Sequence, residues 1–363
     1  MQKKVIALAV AGLVSGAAFA QSNVTVYGVM DAYMGQSWAD NATGNQKQTV
    51  VNAGGNGSSR LGFMGEEALG NGLKAIFRLE LGSLTTDAAT NSIGNTREAY
   101  VGLKSDTLGQ FTLGRVQTAG YYWTQKYDTM SIAPLYSLAS VVGRKEVFMN
   151  SGSAEIGRVA NAVTYISPKL GGVTLRADVA AGEQVTGTSG AAGFSNAQGF
   201  YALNADYDNG PLAVGLVYTQ VNNFGGTLNN VKGLGAKDWG LGASYDFKMV
   251  KPFLMYQESK FEQLVGNDIK NKMWNAGVHV PVGAAGTVKF AYMNYKNDQS
   301  NAVKAEGYAL AYEHALSKRT KLYAAYQTIN NGTFGTLYTG GSSTRTTADK
   351  DASVYGFGIR HNF

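Results

Sequence analysis

Five arginines in the first half of the chain are the side chains best suited to chemistry in this sequence. They are Arg60, Arg78, Arg97, Arg115 and Arg158. A guanidinium group stays charged at physiological pH, and its rigid fork of N–H donors matches the oxygens of carboxylates and phosphates. Arginines that converge on one place would therefore attract and bind anions. Whether they converge depends on the elements that carry them.

The phase of each arginine relative to its apolar neighbours predicts the direction of its side chain. Successive side chains of a strand point to opposite faces. Arg60 is out of phase with Phe63, and Arg78 is out of phase with Phe77. Arg158 is likewise out of phase with the apolar side chains of its segment. These three arginines are therefore expected on the polar face of their strands.

The elements that carry the arginines have the alternation of amphipathic β-strands. In the last ten residues Tyr355, Phe357, Ile359 and Phe363 share one face, and glycines and Arg360 occupy the other. Similar alternation recurs along the chain, with polar faces rich in Gly, Asn, Asp and Lys. An apolar strand edge exposed to water invites aggregation, whereas a closed barrel in lipid can use such a face. The pattern therefore favours a membrane barrel.

About sixteen such segments can be counted, and the connections between them differ in length. Short Gly-, Asn- and Pro-containing turns alternate with longer polar segments near residues 39–56, 185–198, 222–236, 262–271 and 332–352. Short turns at one end and long loops at the other are typical of outer-membrane barrels. We therefore predict an all-β fold, a 16-stranded antiparallel transmembrane β-barrel that forms one domain over residues 21–363.

The first twenty residues have the form of a cleaved secretory signal peptide, which predicts export to the cell outer membrane. Lys3 and Lys4 precede an apolar run, and Ala18-Phe19-Ala20 forms a small-x-small cleavage site. A membrane anchor is the alternative, although the run is shorter than the ~20 residues of a spanning helix. The chain has no cysteine, which excludes disulfides and thiolate chemistry. Its acids and bases are mixed, so the formal charge of +6 does not indicate a nucleic-acid partner.

A segment of about forty residues, approximately 118–156, interrupts the succession of strands. It contains Tyr121-Tyr122-Trp123 and is too apolar for a solvated loop. We predict that it folds against the inner wall of the barrel. The alternative is an external loop that packs on its neighbours or on a partner subunit. Asp128 and Glu146 lie in this segment and are the candidate acidic groups opposite the arginines.

Several stretches resemble the general trimeric porins of beta-proteobacterial outer membranes. The opening strand NVTVYGVMDAY at 23–33 and the closing GIRHNF at 358–363 are the clearest. The remaining stretches occur in the order of the family and are residues 59–66, 72–80, 97–103, 113–115 and 161–168. The resemblance spans the chain after residue 20.

This resemblance implies a sixteen-stranded barrel, a homotrimer and a third long loop folded inward to narrow each pore. It also implies that Arg60, Arg97 and Arg158 match the constriction arginines of the family. Phe363 would help to signal the outer-membrane assembly machinery. Outer-membrane lipid and lipopolysaccharide would surround the barrel.

Arg97 and Arg115 receive conflicting predictions. Strict alternation places both with apolar side chains, and an arginine facing lipid at mid-depth costs roughly 2–4 kcal/mol. Both lie at strand ends, where a β-bulge can redirect a side chain. The resemblance places the matching arginines on the pore wall, and we follow it for both residues.

These features predict a passive diffusion channel for small hydrophilic solutes that prefers anions, with no cofactor and no bound metal. A solute-specific channel would instead use Tyr121, Tyr122 and Trp123 as an aromatic track. A surface adhesin or receptor barrel would have a blocked lumen. We predict no enzymatic activity, because the chain lacks the His-Glu-x-x-His, Gly-x-Ser-x-Gly and P-loop motifs.

Overall fold

The computed structural model describes residues 23–41, 44–82, 84–85, 95–143, 148, 157–180, 199–222, 235–263, 266–298, 304–332 and 350–363. The predicted signal peptide and Glu146 lie outside these residues. Within them, strands alternate with short turns, and two helices occur between the sixth and seventh strands. None of the helices in the described part of the chain is long and apolar enough to cross a membrane.

In the described residues, seventeen strands form one antiparallel sheet. The strands before the helices are β1 (Asn23–Asn41), β2 (Gly44–Ala53), β3 (Arg60–Gly70), β4 (Leu73–Leu81), β5 (Thr96–Ser105) and β6 (Gly109–Gln117). The helices are α1 (Ala119–Tyr127) and α2 (Leu138–Gly143). The strands after them are β7 (Arg158–Ile166), β8 (Val173–Ala180), β9 (Phe200–Asn209), β10 (Leu212–Val221), β11 (Ala236–Tyr245), β12 (Lys251–Phe261), β13 (Ile269–Val282), β14 (Gly286–Asn297), β15 (Lys304–Ala315), β16 (Thr320–Asn331) and β17 (Ala352–Asn362).

The sheet closes because the first strand pairs with the last. On one edge of β1, Val29 stands opposite Asn362 and Ala39 stands opposite Ala352. On its other edge, β1 pairs with β3 near the amino end and with β2 further along. Since β2 and β3 share this edge, they occupy a single place in the barrel. The seventeen strands therefore form the predicted 16-stranded antiparallel barrel.

The strand β2 corrects one prediction. Residues 39–56 were expected to form a long polar loop, but β1 continues to Asn41 and β2 begins at Gly44. This polar hairpin extends the wall beyond the level of β3. Its sequence lacks the apolar alternation of the other strands, which is why the pattern did not reveal it.

Large apolar side chains cover the outside of the barrel. Phe77, Leu79 and Val101 are exposed, whereas Glu80, which follows Leu79, and Glu98, which stands opposite Glu80, are buried. The burial pattern alternates in the same way along most strands. Apolar groups that no other part of the chain covers have their natural environment in lipid acyl chains. The polar faces of the strands are thereby directed into the lumen.

The segment that begins with α1 lies inside the barrel, as predicted. α1 contacts the inner faces of β8 to β12, and α2 contacts β14 and β15. Its large side chains, such as Trp123, Tyr127 and Tyr136, are fully buried. This is the third long connection of the chain: the first runs from β1 to β3 and contains β2, and the second follows β4. We call residues 118–143 the lumen loop.

Glycines on the inner wall make room for the lumen loop. A Cβ atom at Gly240 would overlap the ring of Trp123, and one at Gly242 would overlap the ring of Tyr127. The same holds further along for Gly277, Gly307 and Gly356, whose loop neighbours are Thr129, Leu138 and Leu135. The glycine-rich inner faces therefore form a seat, which lets the loop approach the wall closely.

Candidate functional site

The carboxylate of Glu80 is the centre of a cluster on the inner wall. Arg97 Nε lies 2.5 Å from Glu80 Oε1, and Arg60 Nε lies 3.4 Å from Glu80 Oε2. The hydroxyl of Tyr27 donates a hydrogen bond of 2.9 Å to Glu80 Oε2. Four strands, β1, β3, β4 and β5, thus contribute one side chain each. Two of the predicted arginines share a single counter-charge.

A β-bulge brings Arg97 into this cluster. Glu80 stands opposite Glu98, and the next residue, Leu81, stands opposite Thr96, so Arg97 has no partner across the strand pair. The extra residue of a bulge is free of strict alternation. Arg97 and Glu98 are consequently both buried in the lumen, although they are adjacent in sequence. Strict alternation was therefore wrong for Arg97, and the predicted bulge is present.

Arg158 completes the cluster from β7, where the lumen loop returns to the wall. Its guanidinium carbon lies 5.1 Å from the centre of the Tyr121 ring, and Arg97 Nη2 lies 3.4 Å from the Tyr121 hydroxyl. Arg158 is only 6% exposed, and its Nε has no hydrogen-bond partner among the residues that the structure describes. Among the described residues no carboxylate pairs with it. We call Arg60, Arg97 and Arg158 the arginine cluster.

Arg78 belongs to a neighbouring, balanced pair. Its Nη1 lies 3.0 Å from Glu98 Oε2, and its Nε donates to the Tyr27 hydroxyl at 2.7 Å. Tyr122 of α1 donates to Glu98 Oε1 at 3.2 Å. Arg78 therefore adds little net charge, but it links the cluster to the lumen loop.

Arg115 lies at the edge of the cluster, where its charge acts on that of Arg158. Its Nε donates to the backbone carbonyl of Thr96 at 2.8 Å. Its Cα stands opposite Ala99, beside an irregular pairing between β6 and β7. The side chain thus ties two strand ends together near the start of the lumen loop.

A cavity of about 360 Å³ separates the wall from the lumen loop. Arg97 and Arg158 line one side of it, and Tyr121, Pro134 and Ser140 of the loop line the other. A solute that passes between wall and loop would therefore meet two guanidinium groups at close range. Among the described residues the field in this space is positive on balance, because the arginine cluster, with Arg115 near Arg158 and Arg360 near Arg60, outweighs the carboxylate of Glu80.

Asp128 does not face the arginines, which corrects the expectation that it supplies the acidic side of the site. Its side chain is fully buried at the end of α1. Oδ2 accepts hydrogen bonds of 2.7 Å from the Ile132 backbone N–H and from the Ser137 hydroxyl. Oδ1 accepts a weaker one of 3.3 Å from the Asn275 amide. Asp128 therefore shapes the loop itself.

Among the residues that the structure describes, the acidic groups at the site are Glu80 and Glu98 on the wall. Both alternate with outward apolar side chains and stand directly opposite each other, so their inward direction could be predicted from the sequence. Their pairing with arginines was missed because acidic partners were sought in the loop.

The beginning of the lumen loop is fixed by two hydrogen bonds. The Thr118 side chain caps α1 by accepting from the Tyr121 N–H at 3.2 Å. Asp178 of β8 accepts from the Ala119 N–H at 2.6 Å. A carboxylate at a helix N-terminus also interacts favourably with the helix dipole. Tyr121 is thereby held in place beneath Arg158.

The middle of the loop is fixed by the link between β2 and β3. The Asp31 carboxylate accepts from the backbone N–H groups of Gly55, Asn56 and Gly57 at 2.8–3.0 Å. The link also binds the loop: the Leu135 N–H donates a hydrogen bond of 3.0 Å to the Gly55 carbonyl. No sequence motif pointed to Asp31, whose role depends on the break between β2 and β3.

Replacing Asp128 by neutral asparagine should preserve the loop, whereas alanine should not. Burial raises the pKa of the Asp128 carboxyl above its usual range, against the effect of the hydrogen bonds from Ser137 and Ile132. In Asp128→Asn the side-chain oxygen can accept the same two bonds, and the new amide can donate to Asn275 Oδ1, which has no hydrogen-bond partner in the described part of the chain. Asp128→Ala leaves buried hydrogen-bond donors unpaired, and each unpaired donor destabilises the folded loop by about 1–3 kcal/mol. Single-channel recordings should show wild-type conductance for Asp128→Asn and excess open-channel noise for Asp128→Ala.

The raised pKa also sets the sign of a pH effect. Ionised Asp128 weakens the folded loop, and this penalty disappears as the pH falls below the raised pKa. Open-channel noise of the wild type should therefore decrease toward acidic pH, and that of Asp128→Asn should not. Equal pH dependence in both proteins would contradict this role of Asp128.

The chain is similar to known outer-membrane proteins over its whole length. A family model described as Gram-negative porin matches residues 7–333. Outer membrane porin protein 32 of Delftia acidovorans is 33% identical over 372 residues, which cover 100% of both chains. An outer membrane porin protein of Bordetella pertussis is 27% identical, again over 100% of both chains.

A solved structure gives the same result. An anion-selective porin from Comamonas acidovorans superposes with a TM-score of 0.81 at 29% identity, over 94% of this chain and 100% of the other. Together with the closed barrel and its inward loop, these matches settle the family. The chain belongs to the Gram-negative porins and is a β-barrel channel of the outer membrane.

Proposed function

We propose that the chain is a passive diffusion channel for small hydrophilic solutes, and that the arginine cluster gives it a preference for anions. The observation that carries the proposal is the charge balance at the narrow part of the lumen. Arg60 and Arg97 share the carboxylate of Glu80, and Arg158 beside them has no acidic partner among the described residues. The anion selectivity named for the Comamonas acidovorans porin supports the same preference here.

Two effects would act on a solute in this channel. The lumen loop narrows the passage, so size excludes large solutes. Guanidinium groups that line the remaining space lower the energy of an anion and raise that of a cation. The arginines are held by hydrogen bonds before the solute arrives, so little reorganisation accompanies passage. Flux then follows the concentration gradient with no energy source.

The aromatic residues of α1 do not favour a solute-specific track. Trp123 is fully buried against Gly240, and its Nε1 donates to the Gly215 carbonyl at 3.0 Å. Tyr121 and Tyr122 are engaged by Arg158 and Glu98. The three rings that would form a continuous stacking surface are therefore used to seat the loop and to hold the cluster.

The protein also has to assemble in the outer membrane. We infer a homotrimer from the resemblance to trimeric porins, with lipopolysaccharide and outer-membrane lipid around it. Phe363 closes the barrel, because its N–H and carbonyl exchange hydrogen bonds of 3.1 and 3.0 Å with Gly28. Its ring remains 43% exposed at the chain end. This supports its proposed role as a signal to the assembly machinery.

Planar-bilayer recording together with liposome swelling tests the channel function. We expect stepwise conductance, and swelling rates in neutral sugars that fall with sugar size and do not saturate. Saturable flux of one solute class would point to a specific channel. Folded protein that neither conducts nor admits sugars would overturn the proposal in favour of an adhesin or receptor.

A further inference from the structure

A second carboxylate on the inner wall, that of Glu313 on β15, is bound by four side chains. Lys289 Nζ donates to Oε1 at 2.6 Å, and Lys321 Nζ donates to Oε2 at 2.8 Å. Oε1 also accepts from the Asn56 amide at 2.8 Å and from the Tyr136 hydroxyl at 3.2 Å. Hydrogen bonds between an ammonium group and a carboxylate are charge-assisted and are among the strong ones. Glu313 is therefore a fixed negative charge on the wall.

The strand register explains how the two lysines reach this carboxylate. Glu313 is in phase with the buried Ala311 and out of phase with the exposed Tyr312. Its side chain consequently points into the lumen. Lys289 stands opposite Ala311 on β14, and Lys321 lies on the other neighbouring strand, β16. The lysines thus approach Glu313 from both sides of its strand.

The two lysines belong to a wider basic surface, which Arg360 of β17 continues. Lys321 stands opposite Arg360 in the register of β16 and β17. The charge of Arg360 acts both on that of Lys321 and on that of Arg60. We call Lys289, Lys321 and Arg360 the second basic group. This group therefore continues the arginine cluster along the inner wall.

Glu313 supplies the counter-charge of both lysines. In the described part of the chain, neither lysine forms an ion pair with another carboxylate. Asp31 is the carboxylate opposite Arg360. It is engaged by the link between β2 and β3 and by the Tyr323 hydroxyl, which donates to it at 2.6 Å. Without Glu313, two ammonium groups would therefore add to the positive field of the arginine cluster.

Burial makes this balance of charge effective. The side chains of Lys289 and Glu313 are only 10% and 12% exposed, and that of Lys321 is 29% exposed. Partly buried charges are screened by salt much less than charges on the surface. A change of charge at this position should therefore act on an ion in the lumen.

The same carboxylate also binds the lumen loop. Tyr136, which donates to Glu313, is a fully buried residue of that loop. Asn56 of the link donates to the Tyr136 hydroxyl as well, and its Oδ1 accepts from Arg360 Nη1 at 3.0 Å. The loop, the link and the second basic group consequently form one hydrogen-bonded network around Glu313.

We propose that Glu313 is a specificity-determining residue of the channel, because it neutralises the second basic group and confines the strong positive field to the arginine cluster. This inference rests on the channel function proposed above. Conduction requires that an ion is bound strongly enough to enter and weakly enough to leave. Arg158, with no acidic partner among the described residues, attracts an anion to the narrow passage. Glu313 then prevents the lysines from retaining that anion at a second place.

Glu313→Gln should raise the ratio of chloride to potassium permeability at least about twofold, because it leaves one more positive charge near the path of the ion. The glutamine oxygen can still accept from Asn56 and Tyr136, so the loop keeps this attachment. The zero-current potential of the full-length protein in a KCl gradient measures the ratio.

Glu66→Gln is the matched control. Glu66 also lies between two lysines, with Lys74 at 3.1 Å and Lys104 at 2.8 Å. Its side chain is 45% exposed, however, and both lysines are similarly exposed. The same loss of one negative charge is therefore screened by water and salt, and the permeability ratio should change much less than in Glu313→Gln.

Lys289→Gln separates the effect of charge from that of structure. In this variant Glu313 keeps Lys321, Asn56 and Tyr136, but one positive charge is lost, so the permeability ratio should fall. The double variant with Glu313→Gln and Lys289→Gln should return to the wild-type ratio, because the two changes of charge cancel. A purely structural role of Glu313 would not be repaired in this way. Lys289→Gln also decides the question if Glu313→Gln does not fold.

The inference is overturned if Glu313→Gln leaves the ratio unchanged or lowers it. It is also overturned if Glu66→Gln raises the ratio equally, if Lys289→Gln does not lower it, or if the double variant does not restore it. A wild type that prefers cations would contradict the proposed anion preference, and the change caused by Glu313→Gln would still decide the role of Glu313. Folded protein that does not conduct would overturn both.

Discussion

Arg158→Ala should reduce the anion preference of the channel at least about fivefold, because it disfavours an anion and favours a cation in the narrow part. Arg158 lines the space between wall and loop and has no acidic partner among the described residues. One charge at about 4 Å changes the energy of a permeating ion by about 1 kcal/mol even in a water-like medium. Removing it raises the energy of an anion in the narrow part by this amount. The ratio of chloride to potassium permeability, from the zero-current potential in a KCl gradient, measures the effect.

Lys74→Gln is the matched control for this substitution. Lys74 also points into the lumen, on β4, but it is 40% exposed and pairs with Glu66 at 3.1 Å. Glu66 keeps a second partner, Lys104, at 2.8 Å. The same loss of one charge should therefore change the permeability ratio only slightly. A reduction as large as that of Arg158→Ala would show that total lumen charge, and not the arginine cluster, determines the preference.

Gly242→Leu should displace the lumen loop and change the conductance by more than any single charge substitution. A Cβ atom at this position already overlaps the ring of Tyr127, whose hydroxyl donates to Asp206 at 2.7 Å. Overpacking of this kind costs roughly 1–3 kcal/mol. Because the barrel is held by strand pairing along its whole circumference, the loop is the part that yields. We expect a folded barrel with an altered conductance and frequent transitions between levels.

Ala243→Leu provides the comparison on the same strand. Ala243 follows Gly242 and faces outward, so the larger side chain meets lipid and leaves the loop in place. Its conductance should equal that of the wild type. Identical recordings from Gly242→Leu and the wild type would contradict the role of the glycine seat.

The barrel could be predicted from the sequence because its signal is repeated in every strand. An irregularity in one strand does not obscure the pattern, because the other strands repeat it. The inward direction of Arg60 and Arg78 follows from this alternation. The strand β2 was missed because both of its faces are polar, so its sequence carries no period of two. Alternation could not by itself place Arg97 either, since a bulge changes the phase by one residue.

The loop was less predictable for a different physical reason. Its apolar content showed that it must pack against something, and the lumen was the largest wall available. The partners of Asp128 are residues of the same loop and Asn275 on a distant strand, which no local pattern connects. The high glycine content was apparent from the sequence, but only the fold shows which glycines contact Trp123 and Tyr127 of the loop.

The zero-current potential across a KCl gradient, compared between the wild type and one neutralised variant, tests most directly whether the arginine cluster sets the anion preference. The variant combines Arg60→Gln, Arg97→Gln and Arg158→Gln with Glu80→Gln, so that no buried carboxylate is left without its partners. For the wild type we predict a zero-current potential whose sign indicates chloride selectivity. For the variant we predict a potential close to zero. A potential that indicates potassium selectivity in the wild type would contradict the account, and so would a variant that keeps the chloride selectivity of the wild type.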